Sequence, residues 1–207
     1  NYLRILGDLP ENFPKTILEN LDPQIFLEIP HRKLQLDLLR IWQSKSIESE
    51  KVFLVSAKGR KQGRFHYWIR FARRHDEPGL LASFVSQLYD VGCSVQHALV
   101  HTSDSLGVYD WFLVESSRRQ DLLLKLLTRE GGGSSLMTPR SVKFQSIEVI
   151  SESREELVIS LKGRDQKGML YSAARLLFNL GANILSARVH TWVVRSRIFF
   201  RFVLRRT

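Results

Sequence analysis

The chain has 207 residues, 43% of them hydrophobic and 25% charged, with one cysteine and six prolines. These proportions exclude a disordered, collagen-like or disulfide-built chain and leave room for one or two compact domains. Lys and Arg outnumber Asp and Glu by 31 to 21, a formal charge of +10 that suits an anionic partner and keeps nucleic acid open as a ligand class.

Residues 1–48 read as a short helical connector. Pro10, Pro14, Pro23 and Pro30 punctuate helical pieces, and His31–Gln43 places Leu34, Leu38, Leu39 and Trp42 along one side. A first domain is expected over 49–129. It opens with a strand at Val52–Ala57, followed by a second in which Phe65, Tyr67, Ile69 and Phe71 alternate with His66, Trp68, Arg70 and Ala72. After the turn Asp76-Glu77-Pro78-Gly79, the spacing of Leu80, Leu81, Phe84, Val85, Leu88 and Val91 predicts an amphipathic helix ending at Gly92. Strands Val95–Thr102 and Val108–Val114 and an apolar helix at Asp121–Arg129 complete this half. A Gly/Ser linker, Glu130–Pro139 within 130–141, separates it from a second domain over 142–207. There Val142–Val149, the alternation of Leu157, Ile159 and Leu161, a helix from Met169 to Leu180, Gly181, and strands Ile184–Thr191 and Ile198–Leu204 repeat the order.

The repetition is measurable. A shift of 89 positions lays His75-Asp76-Glu77-Pro78-Gly79-Leu80-Leu81 on Arg164-Asp165-Gln166-Lys167-Gly168-Met169-Leu170, and Ala98-Leu99-Val100-His101-Thr102 on Ala187-Arg188-Val189-His190-Thr191, with no gap between these anchors. Each copy is a β-α-β-β unit, with the strand in front of it filling a sheet edge. The expected fold class is therefore α+β, two sandwiches of ferredoxin-like type with helices on one face of about four antiparallel strands.

No catalytic constellation is present: there is no phosphate-binding glycine loop, His-Glu-x-x-His or Cys-x-x-Cys. Among the six histidines, His97 and His101 share a strand face at a spacing a metal could use, but strand histidines satisfied by neighbours explain them better. Cys93 has no intrachain partner and is expected to be a small buried thiol. The turn is the better candidate for chemistry. Asp76 and Gly79 stand where a strand hands over to a helix N-terminus, whose outward N–H groups can hold a carboxylate or amide oxygen. A plain cap and a plain turn glycine would give the same residues.

The run Asp-x-Pro-Gly-Leu-Leu, a helix, a glycine, a strand ending Ala-x-Val-His-Thr and the partner Asp110-Trp111-Phe112-Leu113-Val114 together resemble the ACT domain. Two such copies, with Pro139-Arg140-Ser141-Val142-Lys143-Phe144 between them and a helical stretch plus Val52-Phe53-Leu54-Val55 in front, are similar over about residues 20–207 to the C-terminal region of the protein-PII uridylyltransferases. The resemblance implies a tandem ACT region that senses glutamine and governs uridylylation and deuridylylation of PII in nitrogen signalling. The fragment would carry no catalytic residues and no cofactor. The upstream nucleotidyltransferase, to be expected before a chain that does not begin with Met, would use magnesium. The resemblance places the ligand at Asp76, Glu77, Gly79 and Leu80 of the first copy and Asp165, Gly168, Met169, Asn183 and Ile184 of the second. Ser94 stands where the second copy has Asn183, and Lys167 replaces the motif proline. Phe199-Phe200 fall where the first copy has Asp110-Trp111, so the second site is expected to be the weaker.

Two other readings stay open. The strand bearing Phe199, Arg201, Val203 and Arg205 would serve a free-standing or ligand-free ACT dimerisation module if it formed a sheet edge. The net charge would serve a polyanion or RNA binder, although no RNA-recognition signature is present. No apolar run approaches the roughly 20 residues of a membrane span and the N-terminus has no signal-peptide plan, so no membrane partner and a cytoplasmic location are expected.

Overall fold

The computed structural model describes residues 9, 10, 13, 15–19, 21, 23–43, 51–61, 63–73, 75–103, 107–128, 142–192 and 197–205. The expected linker Glu130–Pro139 lies outside them. Among the described residues three helices come first: α1 (Lys15–Glu19), α2 (Pro23–Glu28) and α3 (His31–Gln43). Then follow β1 (Lys51–Lys61), β2 (Arg64–Arg73), α4 (Leu80–Asp90), β3 (Ser94–Ser103), β4 (Gly107–Ser116) and α5 (Gln120–Leu127). The second repeat supplies β5 (Phe144–Glu152), β6 (Glu156–Arg164), α6 (Met169–Asn179), β7 (Asn183–Trp192) and β8 (Arg197–Arg205).

The class is α+β. All eight strands form one sheet in the order β1-β2-β4-β3-β7-β8-β6-β5, every described pairing being antiparallel. Each half is a four-stranded unit whose leading strand, β1 or β5, lies at an outer edge. The halves meet where β3 pairs with β7, from His97 opposite His190 to His101 opposite Ser186. The alternation read in β2 holds, because Tyr67, Ile69 and Phe71 pack beneath the helices with Phe84 and Leu88 of α4. One continuous core joins both repeats on this face, including Leu123 and Leu127 of α5 and Ala173, Ala174 and Leu177 of α6.

Three expectations are corrected. Helices cover both faces of the first half, not one. Residues of α1–α3, among them Leu18, Ile25, Leu34 and Leu38, pack on Ala72, Leu99, Tyr109 and Trp111 on the opposite face. The segment is thus a packed layer more than a connector. It is fixed by the buried pair of Arg70 on β2 and Asp37 on α3, with the Tyr109 hydroxyl donating to Asp37 at 3.1 Å.

The strand β8 is not an edge, since β7 and β6 flank it on its two sides. Charged side chains do alternate there, but the open edges belong to β1 and β5.

The third correction concerns register. Ile69 pairs with Phe112 and Ile159 with Phe202, an offset of 90 where the turns and helices keep 89. The second repeat has one residue fewer before its turn and one more in its β7–β8 hairpin. Phe200, not Phe199, therefore occupies the place of Asp110.

Candidate functional site

The junction of β3 and β7 brings the turn of each repeat against the first residues of the other repeat's inner strand. Two related sites result. At the first, Asp76, Glu77, Gly79, Leu80, Asn183 and Ile184 line one small cavity. The Asn183 amide Nδ2 donates to Asp76 Oδ2 at 3.0 Å, a contact between residues 107 positions apart. Asp76 is thus not a helix cap: Gly79 stands at the N-cap of α4 with no side-chain cap, and the carboxylate serves the other repeat instead. Glu77 is exposed at the rim and pairs with Arg73 at 2.8 Å. Leu80 and Ile184 turn their side chains into the core and offer mainly wall and backbone.

Gly79 has φ of 85° and Gly168 has φ of 87°, a left-handed conformation that a side chain disfavours. Each also lies beneath an aromatic ring of the other repeat. A Cβ on Gly79 would sit 2.7 Å from the Phe178 ring, and one on Gly168 2.7 Å from the Tyr89 ring. Tyr89 and Phe178 are themselves 89 positions apart, so each repeat contributes the ring that closes the other's turn. Both glycines are therefore fixed by backbone and packing alike, and neither turn is the looser by this measure. The Lys167 ammonium, at the position of the missing proline, rests over the Tyr89 ring at 5.6 Å.

The sites differ in polarity. The first includes Asp110 and Thr102 in its lining. Asp110 is only 1% exposed and accepts from the His101 N–H at 3.2 Å. Burial pushes its carboxyl well above the usual carboxylate range; the Asp76 charge adds to this, and the His101 N–H opposes it. At the second site Gly168 and Met169 meet Ser94, Cys93, Tyr89 and Tyr171, with Phe200 in the strand position of Asp110. Asp165 is not among the residues lining it, and its carboxyl is raised by partial burial and then by Glu115. Cys93 is buried as expected, and desolvation pushes its thiol up to about 11.

The enclosed space is about 10 Å³ at the first site and about 20 Å³ at the second, room for roughly one water each. Anything larger must displace a ring. Phe178, 37% exposed and overlaid by the Arg175 guanidinium at 5.7 Å, is the outer wall of the first site.

Among the described residues no group of three or more His, Cys, Asp or Glu gathers at metal-binding spacing, and no helix is long and apolar enough to cross a membrane. Sequence alone gives Asp110 a place only in a strand motif and gives the two rings no role at the site, although a lone carboxylate in the apolar run Val108–Val114 and aromatics 89 positions apart are visible signals. No family model matches the chain, and neither a curated protein nor a solved structure matches it significantly.

Proposed function

We propose that this chain is a regulatory amino-acid-binding region made of two ACT-like modules. Its ligand, glutamine by the resemblance to protein-PII uridylyltransferases, sits where the first turn meets the start of β7. The observation that carries this reading is the Asp76–Asn183 contact between the repeats beside the buried Asp110. Carboxylates and an amide at one small cavity are the groups that read an α-amino and an α-carboxyl group together. On this reading the region acts in cis on a uridylyltransferase that modifies PII. Ligand binding holds one arrangement of the junction, and it shifts an equilibrium only by its differential affinity for the two arrangements.

Thermal unfolding against a panel of amino acids tests it, because a ligand that binds only the folded chain raises its melting temperature by mass action. Glutamine at millimolar concentration is expected to raise it, and Asn183→Ala to abolish the response. No response to glutamine overturns that assignment; a response to another amino acid keeps the class and changes the ligand.

A second reading, self-association, draws on the edge strand β5, where Ile147 is 65% and Val149 60% exposed.

A further inference from the structure

Among the described residues, the face of the sheet opposite α4 and α6 is covered by α1–α3 over the first repeat and by no helix over the second. Where that cover ends, ring-bearing side chains run across the sheet. Trp68 lies edge-on to His97 at 6.3 Å, and His97 lies edge-on to His190 at 5.6 Å across the β3–β7 junction. His190 is paired in turn with Phe199 on β8. Beside this row is an open cavity of about 470 Å³ walled by His66, Trp68, Gln96, His97, Leu113 and His190. That volume is in the range of small-molecule sites and accommodates a planar heterocycle. The Gln96 amide can both donate to and accept from the edge of such a ring.

The adjoining surface is basic. Ile198, Phe200, Phe202 and Leu204 of β8 are buried under the helices, so strand alternation puts Arg197, Phe199, Arg201 and Arg205 on this face. Arg197, Arg201 and Arg205 are exposed. Neither β7 nor β8 contains a carboxylate, and of the three exposed arginines of β8 Arg205 stands opposite one on β6, Glu156. Arg188 on β7 stands directly opposite Arg201, a like-charge cross-strand pair that concentrates positive charge on this face. At about 3.3 Å per residue, the positive track from Arg197 to Arg205 is roughly 26 Å long. A single nucleotide would engage one end of it; a strand of nucleotides would follow it.

We propose that this face, the ring row Trp68–His97–His190–Phe199 with the arginines of β7 and β8, binds single-stranded nucleic acid. Bases stack on the rings, one of them entering the cavity, while phosphates lie along Arg188, Arg197, Arg201 and Arg205. Base stacking on aromatic side chains together with a basic groove is the general physics of sequence-tolerant single-strand binding. The inference does not depend on the amino-acid site, which lies at the turns on the helix side.

The test is fluorescence anisotropy of a labelled oligouridine of about twelve nucleotides with the full chain, beginning at about 50 mM salt. Binding is expected, with an affinity that falls as salt rises, the logarithmic slope being about −0.7 for each phosphate neutralised. Arg201→Gln should make that slope shallower by about 0.7. Phe199→Ala and His190→Ala should each weaken binding by about ten-fold. His190 is exposed, so its variant reads the stacking contribution even if Phe199→Ala fails to fold in a parallel thermal unfolding run. Absence of binding at low salt overturns the proposal. So does binding that neither ring variant weakens, and so does equal displacement by uridine monophosphate, which indicates a mononucleotide site, or by polyglutamate, which indicates a site for any polyanion.

Discussion

Asp110 is a carboxyl group withdrawn from water beside a second carboxyl, Asp76, and both belong to the cavity closed by Asn183. Because its proton is held more tightly in the folded chain than in the unfolded one, Asp110 contributes stability at acid pH. That contribution is lost as pH rises from the unfolded value, about 3.9, through the raised folded value. Asp110→Asn keeps the acceptor for the His101 N–H and removes the titration. The variant is expected to show a flatter decline of melting temperature with rising pH above about 4, checked by thermal unfolding across pH. Superimposable profiles would show that the carboxyl is not buried in solution. An ammonium group placed between Asp76 and Asp110 favours the ionised form, so ligand binding should release protons in the native protein and not in the variant. Asp76 is legible from the turn that both repeats carry, whereas Asn183, which is Ser94 in the first copy, is legible only through the resemblance to the ACT domain. Asp110 was not weighted as a site residue, since the 89-residue offset laid the wrong phenylalanine on it and a one-residue slip in the hairpin is invisible before strands pair.

At the scale of elements, α3 is bound to the sheet by chemistry more specific than its leucine stripe. Arg70 and Asp37 have side chains only 6% and 3% exposed, the guanidinium lies 5.4 Å from the Trp111 ring centroid, and burial and the Asp37 charge hold the Tyr109 phenol protonated to donate to Asp37. A buried pair adds little over a well-packed apolar one, but a buried charge left without its partner is costly. Asp37→Ala is expected to destabilise by about 3–5 kcal/mol in urea unfolding, whereas Asp37→Leu combined with Arg70→Met should cost much less. A single variant within about 1 kcal/mol of the native chain would place the α1–α3 layer outside the cooperative unit. The apolar side of α3 was readable from its spacing; its destination was not. Trp111 and Arg70 sit on strand positions that alternation assigns only to the face away from α4, and nothing local says what covers that face.

Across the whole molecule the repeats differ in what covers their outer strands. In the first, α5 lies against β1 and buries Leu123 and Leu127. The second has no described helix in that place. Ile147 and Val149 pair with Leu161 and Ile159, which assigns them to the helix-bearing face, yet both are exposed along an edge whose outward N–H and C=O groups face no described strand. The joining of two four-stranded halves into one sheet was not legible, because the β3–β7 pairing links segments about 90 residues apart and rests on backbone groups that any sequence carries. The same backbone chemistry makes β5 a template for another β5, apolar side chains included. Self-association is therefore expected to rise with concentration in light scattering, and Ile147→Lys with Val149→Lys, charges placed on the exposed edge, should hold the chain monomeric without lowering its melting temperature. A native chain that stays monomeric over the same range, or association that persists in the double variant, would remove β5 as the contact.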